Sequence, residues 1–420
     1  MRFERAKRRF AGLAAPSERL GRALLVLVSL AFACAAAEVG LRLAGYAALY
    51  DVYSKPELFW QHDERLGWSL TPGARGRYRG PRPFPMEFDS TIEINSLGLR
   101  GPDLPVRQPG ELRVVLLGDS FVAGFEVEQQ ETFAALLEAQ LRGRFERPLR
   151  VINASVRGYG TDQSLLWFRE RGRGLRPDLV VAVFSANDFE DNVTLHRVRR
   201  PFGKGAFALR PSGALELVGV PVPRYELCSA VVLNAAYETV RIDGALSRAA
   251  CMLQAGLADH SALFTLLATG LARLPALVRL LQGVGEPDPE GAALAAAWRA
   301  SAAAELRVAG VPAAAPSSPE RGALEGELTT ALLQALASDV RASGARFLLL
   351  MTPSHWERVD LRALRADQID PRFVSLPAGI RRSEIRFRND SHLNALGHRL
   401  MAEGLLPLVE SELRSAPRLP

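Results

Sequence analysis

Four short stretches of the chain hold residues that could do chemistry together. "LLGDSFVAG" (116–124) contains Gly118, Asp119 and Ser120, and "NASVRGYG" (153–160) contains Asn153 and Gly158. "SANDFEDN" (185–192) contains Asn187 and Asp188, and "RNDSHLNALGH" (388–398) contains Asp390 and His392. Serine, glycine, asparagine, aspartate and histidine are the parts that acyl transfer requires. A serine hydroxyl is a weak nucleophile until an adjacent base, usually a histidine held by a carboxylate, takes its proton. The tetrahedral intermediate then carries an oxyanion, which needs donors fixed in advance, each worth about 3 kcal/mol. Ser120 opens a helix, where its N–H has no intrahelical acceptor and the helix dipole favours negative charge. Gly158, in a turn, lets a backbone N–H approach closely, and Asn187 offers a side-chain NH₂.

These motifs resemble the SGNH subgroup of GDSL-type hydrolases, named for its block residues Ser, Gly, Asn and His. The matching segments are "GDSFVAG", "NASVRG", "SAND" and "DSH", and the likeness covers residues 90–195 and 325–410. The resemblance implies that Ser120 is the nucleophile, His392 the general base and Asp390 its orienting partner. It implies an oxyanion hole from the backbone N–H groups of Ser120 and Gly158 and the amide of Asn187. It also implies a serine acyl-enzyme mechanism with no metal and no cofactor. Two departures stand out. Ser185 replaces the glycine usual in the third block, and the last block reads D-x-H where D-x-x-H is usual. The tighter spacing puts Asp390 in question and makes Asp188 either a substitute carboxylate, a substrate contact or a turn residue. His355, in "TPSHWERVD" after the last expected strand, is a further candidate for substrate contact. Asp119 is expected to organise its turn, and His398 to pack or face solvent. No G-x-S-x-G surrounds any serine, which argues against a nucleophile elbow.

Ligands of an open parallel sheet bind at the carboxyl ends of its strands, so these residues must follow strands. The pattern agrees. "RVVLLG", "LRVINAS" and "PDLVVAVFS" are apolar without polar alternation, as buried parallel strands are, and helical spacings such as "ETFAALLEAQLRGRF" separate them. The expected fold is a three-layer α/β/α domain with a mostly parallel, flavodoxin-like sheet, built from residues 111–193 and 326–415. Residues 194–325 form an insert between those halves, Pro/Gly-rich at first, then apolar helices, then an Ala/Pro-rich connector. Residues 51–110 read as a lead-in with short β elements such as "EFDSTIEI".

The formal charge is +6, but seven Arg/Lys against Glu4 and Glu18 lie within residues 1–22, leaving +1 for the rest. A nucleic-acid protein would spread basic residues over its folded surface, so that class is set aside. The basic cluster instead precedes an uncharged run, Ala23 to Ala37, with a positive-inside bias. Residues 1–50 are therefore expected to be a cytoplasmic stub and a transmembrane signal anchor, continued as helix through "LAGYAALY", with Glu38 and Arg42 paired near one interface. A cleaved signal peptide, with Ala35 and Ala37 as its A-x-A site, is the competing reading. Both export the remainder, placing it beyond the inner membrane in a bacterial periplasm. Cys228 and Cys251 are either a disulfide or two apolar thiols, and no His/Cys cluster suggests a metal. The expected activity is that of an exported esterase acting on O-acyl groups, acetyl foremost. A cell-surface O-acyltransferase and a non-catalytic glycan-binding or scaffold domain are the alternatives.

Overall fold

A computed structural model describes residues 16–46, 59–81, 85–193, 203–210, 212–222, 230–232, 239–241, 245–271, 319–351, 369–374 and 377–415. Its first element, α1 (Pro16–Leu43), is exposed over most of its described side chains and carries a window, Arg19–Leu43, apolar and long enough to cross a membrane. The helix stops at Leu43 and does not continue through "LAGYAALY" as expected. Gly45 adopts φ +85, its N–H bonds Arg42 O at 3.0 Å, and Tyr46 N–H bonds Leu41 O at 2.9 Å. That is a Schellman end, which glycine's left-handed conformation makes favourable. Arg42 Nε donates to Glu38 Oε1 at 2.7 Å, the pairing anticipated.

Two antiparallel hairpins come next, β1 (Trp60–Asp63) with β2 (Gly67–Leu70) and β3 (Arg75–Gly80) with β4 (Phe88–Glu93). Along β4 buried residues alternate with more exposed ones, as "EFDSTIEI" predicts.

The central sheet comprises β5 (Leu112–Leu117), β6 (Leu149–Asn153), β7 (Leu179–Phe184), β12 (Arg346–Met351) and β13 (Arg372–Phe373). Its five strands are all parallel, in the order β6-β5-β7-β12-β13. This is the flavodoxin-like order, with its crevice where the winding reverses between β5 and β7. Every residue of β5 and β7 is buried, because helices cover both faces. On one face Val114, Leu116, Val181 and Val183 pack against Phe133, Leu137 and Leu141 of α3 (Phe133–Arg142) and Met401, Leu405 and Val409 of α9 (Ala395–Arg414). On the other, Val115, Leu117, Val180 and Ala182 meet Leu165 and Phe168 of α4 (Thr161–Glu170), and Leu332, Leu336 and Val340 of α8 (Pro319–Ala342). Trp68, Leu70 and Ile92 of the hairpins join this second core. Two short helices lie at the strand ends, α2 (Ser120–Ala123) after β5 and α5 (Asp188–Val193) after β7.

The described part of the 194–325 segment is not purely helical. It forms hairpin β8 (Ala206–Leu209) with β9 (Leu215–Val218), turned by Gly213 at φ +80, and the short pair β10 (Ala230–Val232) and β11 (Thr239–Arg241). Helices α6 (Ala245–His260) and α7 (Ala262–Leu271) come after them, and α7 packs against α1. Cys228 and most of the Ala/Pro-rich connector lie outside the described residues.

Candidate active site

Ser120 stands where β5 gives way to α2. A Cβ on Gly118 would come within 2.5 Å of Val122 Cγ2 and 3.1 Å of Val183 O, so only glycine lets the chain turn this tightly beside β7. Asp119 caps α2, its Oδ1 accepting the Phe121 N–H at 2.9 Å, and burial pushes its carboxyl up from the ordinary value.

His392 arrives from the loop ahead of α9. Asn394 caps that helix by accepting the Gly397 N–H at 3.0 Å, and its amide donates to Glu384 O at 2.9 Å and Arg386 O at 3.1 Å. The ring thus fixed places Nε2 2.8 Å from Ser120 Oγ. Its Nδ1 lies 2.5 Å from Asp390 Oδ1, and the same oxygen accepts the His392 backbone N–H at 2.8 Å. A tight turn with one doubly used oxygen is how the shorter D-x-H spacing reaches the ring. Burial alone would raise the Asp390 carboxyl, but the hydrogen bonds and charge of His392 hold it below its ordinary value.

Gly158 lies in the loop between β6 and α4 at φ +78, a conformation that favours glycine. The hairpin β1–β2 braces that loop. Trp68 Nε1 donates to Arg157 O at 3.2 Å, and the Tyr159 hydroxyl donates to Trp68 O at 2.6 Å. Asn187 lies just past β7 and is only half-buried. Its amide donates to Asp119 Oδ2 at 3.1 Å and to Asp191 Oδ2 at 2.8 Å, so both of its N–H groups face carboxylates.

Asp188 is buried, and its Oδ2 accepts the Ser185 N–H and the Thr161 hydroxyl, each at 3.3 Å. Burial first, then the charges of Asp119 and Asp191, push its carboxyl well above the ordinary range. These contacts with Ser185 and Thr161 are those of a residue that fixes its turn. His355 lies outside the described residues. His398 is buried in the packing between α9 and α3, its Nδ1 accepting the Phe133 N–H at 3.3 Å.

Two residues that the motifs did not point to, Arg100 and Glu126, complete the setting. Arg100, from "INSLGLRG", donates to Ala123 O at 2.5 Å, to Gly124 O, and to Val127 O at 2.6 Å, pinning the turn after the nucleophile. Glu126, in that turn, pairs with Arg157 and lies 3.4 Å from His392 Nδ1. The one signal in the sequence was a carboxylate six residues beyond the serine. Among the described residues, Glu126, Asp390 and His392 bring ligand atoms within 4.8 Å of one another. That grouping suits hydrogen bonding better than a cation, since Glu126 already faces a guanidinium and Nε2 faces Ser120.

The model of the GDSL-like lipase/acylhydrolase family matches residues 116–400, more than half of the chain. The chain belongs to this family. It is accordingly a hydrolase of ester bonds. No curated protein matches it. Among solved structures, TesA is 14% identical, the match covering 71% of this chain and 99% of that one, at a TM-score of 0.34. The psychrotrophic esterase EstA from Pseudoalteromonas sp. is 12% identical over 72% of this chain and 99% of its own, at 0.33. The acetyl xylan esterase AlAXEase is 12% identical over 71% and 100%, at 0.32.

Proposed function

We propose that this hydrolase removes O-linked acyl groups by a serine mechanism, with Ser120 as nucleophile, His392 as general base and Asp390 orienting the ring. The observation that carries the reading is the line of contacts from Ser120 Oγ to His392 Nε2 at 2.8 Å and from Nδ1 to Asp390 at 2.5 Å. As Oγ forms its bond to the acyl carbon, its proton passes to Nε2. The oxyanion then takes the N–H groups of Ser120 and Gly158 and one N–H of Asn187, which exchanges a carboxylate for the substrate. Collapse expels the alcohol, which takes the proton from Nε2, and water attacking the acyl-enzyme repeats the cycle. The acyl group proposed is acetyl; transfer to a cell-surface polysaccharide is the alternative outcome. Helix α1 would serve as the anchor, with the domain beyond the membrane.

The experiment is labelling by a fluorophosphonate, together with acetate release from p-nitrophenyl acetate with and without a sugar acceptor. Labelling that disappears in Ser120→Ala is expected. Acetate released into water without an acceptor is the hydrolase outcome. A folded protein that never labels would overturn the serine mechanism.

A further inference from the structure

We propose that Glu126 is a second positioning carboxylate for His392, sharing Nδ1 with Asp390 and held by Arg157 from the loop that carries Gly158. The inference rests on the proposed roles of Ser120 and His392 and extends them.

Glu126 comes from the nucleophile's own turn. After one helical turn the chain reverses at Gly124, with φ +60, and Arg100 clamps the carbonyls of Ala123, Gly124 and Val127. This brings Glu126 back to Nδ1 of the ring whose Nε2 meets Ser120. Its side chain is fully buried, with Oε1 3.4 Å from Nδ1. Its Oε2 is buried without a hydrogen-bond partner, an arrangement native structures rarely leave without a reason. Arg157, which pairs with Glu126, also lies over the rings of Tyr78 and Phe125, with Cζ at 5.1 and 5.9 Å from their centroids. A simple structural ion pair would need no third member, yet the imidazole lies at the edge of this one.

The arrangement answers a need in the reaction. When Ser120 Oγ bonds to the acyl carbon and Nε2 takes its proton, the ring becomes a cation. Asp390 is the more exposed of the two carboxylates that face Nδ1, and it hangs from a short loop. Glu126 supplies a dry, rigid negative charge on the same nitrogen. The charged groups around the ring are Asp390 and Glu126 at Nδ1, with Asp119, Arg157, Arg100 and the uncharged His398 beyond. Because Arg157 precedes Gly158, the same pair couples the base to the oxyanion loop.

The test measures kcat/KM for p-nitrophenyl acetate against pH in Glu126→Gln, Asp390→Ala, the double variant, Ser120→Ala and His392→Ala. Removing the Glu126 charge should move the acid limb to lower pH by about 1 unit, because an anion beside the imidazolium has been lost. A merely structural role would lower the rate and leave the limb in place. Asp390→Ala should lose at most about 100-fold, against the roughly 10⁴-fold expected when a sole orienting carboxylate is disabled. The double variant should fall to the level of His392→Ala. An unmoved limb in Glu126→Gln overturns the proposal. Should that variant not fold, Asp390→Ala decides alone, and a fall to the His392→Ala level overturns it. Full activity in Ser120→Ala would instead remove the mechanism on which it rests.

Discussion

Asn187 is the residue whose role is most exposed to test. In the structure both of its N–H groups face carboxylates, Asp119 and Asp191. If one turns to the oxyanion in the transition state, Asn187→Ala should lower kcat by about 10²–10³-fold with little change in KM. A KM effect alone would make it a binding residue. His398 allows a separate prediction, about stability. Burial, then the charges of Arg100 and His392, lower its pKa to about 3 from an ordinary 6.5, so the native state keeps it neutral. The unfolded chain takes up that proton as pH falls below 6.5, so this contribution is complete above 6.5 and is lost on acidification. Between pH 6.5 and 5 it removes about 1.6 kcal/mol from the wild type. His398→Asn keeps an acceptor for the Phe133 N–H and should lose that slope. Urea midpoints at the two pH values, compared between the proteins, measure it.

At the scale of elements, the unpolarised runs of β5 and β7 made the parallel sheet legible, because a strand buried on both faces has no polar side to show. The motifs at the ends of β5, β6 and β7 were legible for a related reason: a strand order that reverses at β5 and β7 gathers the loops beyond them at one crevice. Gly118 shows the constraint most sharply. Gly118→Ala would drive a methyl into Val122 and against Val183 O. It should cost about 1–3 kcal/mol and displace Ser120, lowering the melting temperature and the fluorophosphonate labelling rate together. Partners that act across elements were not legible. Glu126 reads as one acid in "EVEQQE", and only the reversal at Gly124, clamped by Arg100, turns it to His392. Nothing in the spacing of Arg157 and Trp68 says that a hairpin near the N-terminus braces the Gly158 loop. The end of α1 was misjudged because apolar content favoured a continuing helix, whereas a single glycine at a Schellman position decided the matter.

For the molecule as a whole, the question is how α1 is joined to the rest of the chain, and Glu38 gives a physical handle. Its carboxylate accepts the backbone N–H groups of Ala262 at 3.0 Å and Leu263 at 2.9 Å, and the Ser261 hydroxyl at 2.9 Å. Arg42 Nη2 donates to His260 O at 2.7 Å. One turn of α1, some 220 residues away in the chain, therefore adds to the cap of α7 that Ser261 makes by accepting the Phe264 N–H at 3.0 Å. The charge suits the site, because the first N–H groups of α7 and its dipole both call for an anion. With α1 as the proposed anchor, this contact couples the anchor helix to the 194–325 segment. Glu38→Ala should remove the acceptor for the Ala262 and Leu263 N–H groups, leave the Ser261 cap in place, and cost about 1 kcal/mol of local stability, the usual loss when a capping acceptor is deleted. Native-state hydrogen exchange on the full chain should then speed up roughly five-fold at Ala262 and Leu263, while amides of β5 and β7 keep their protection. Unchanged exchange at those two positions would mean that α7 does not depend on Glu38. Acceleration throughout the sheet would mean that the contact stabilises the entire domain, a larger role than a local cap can account for.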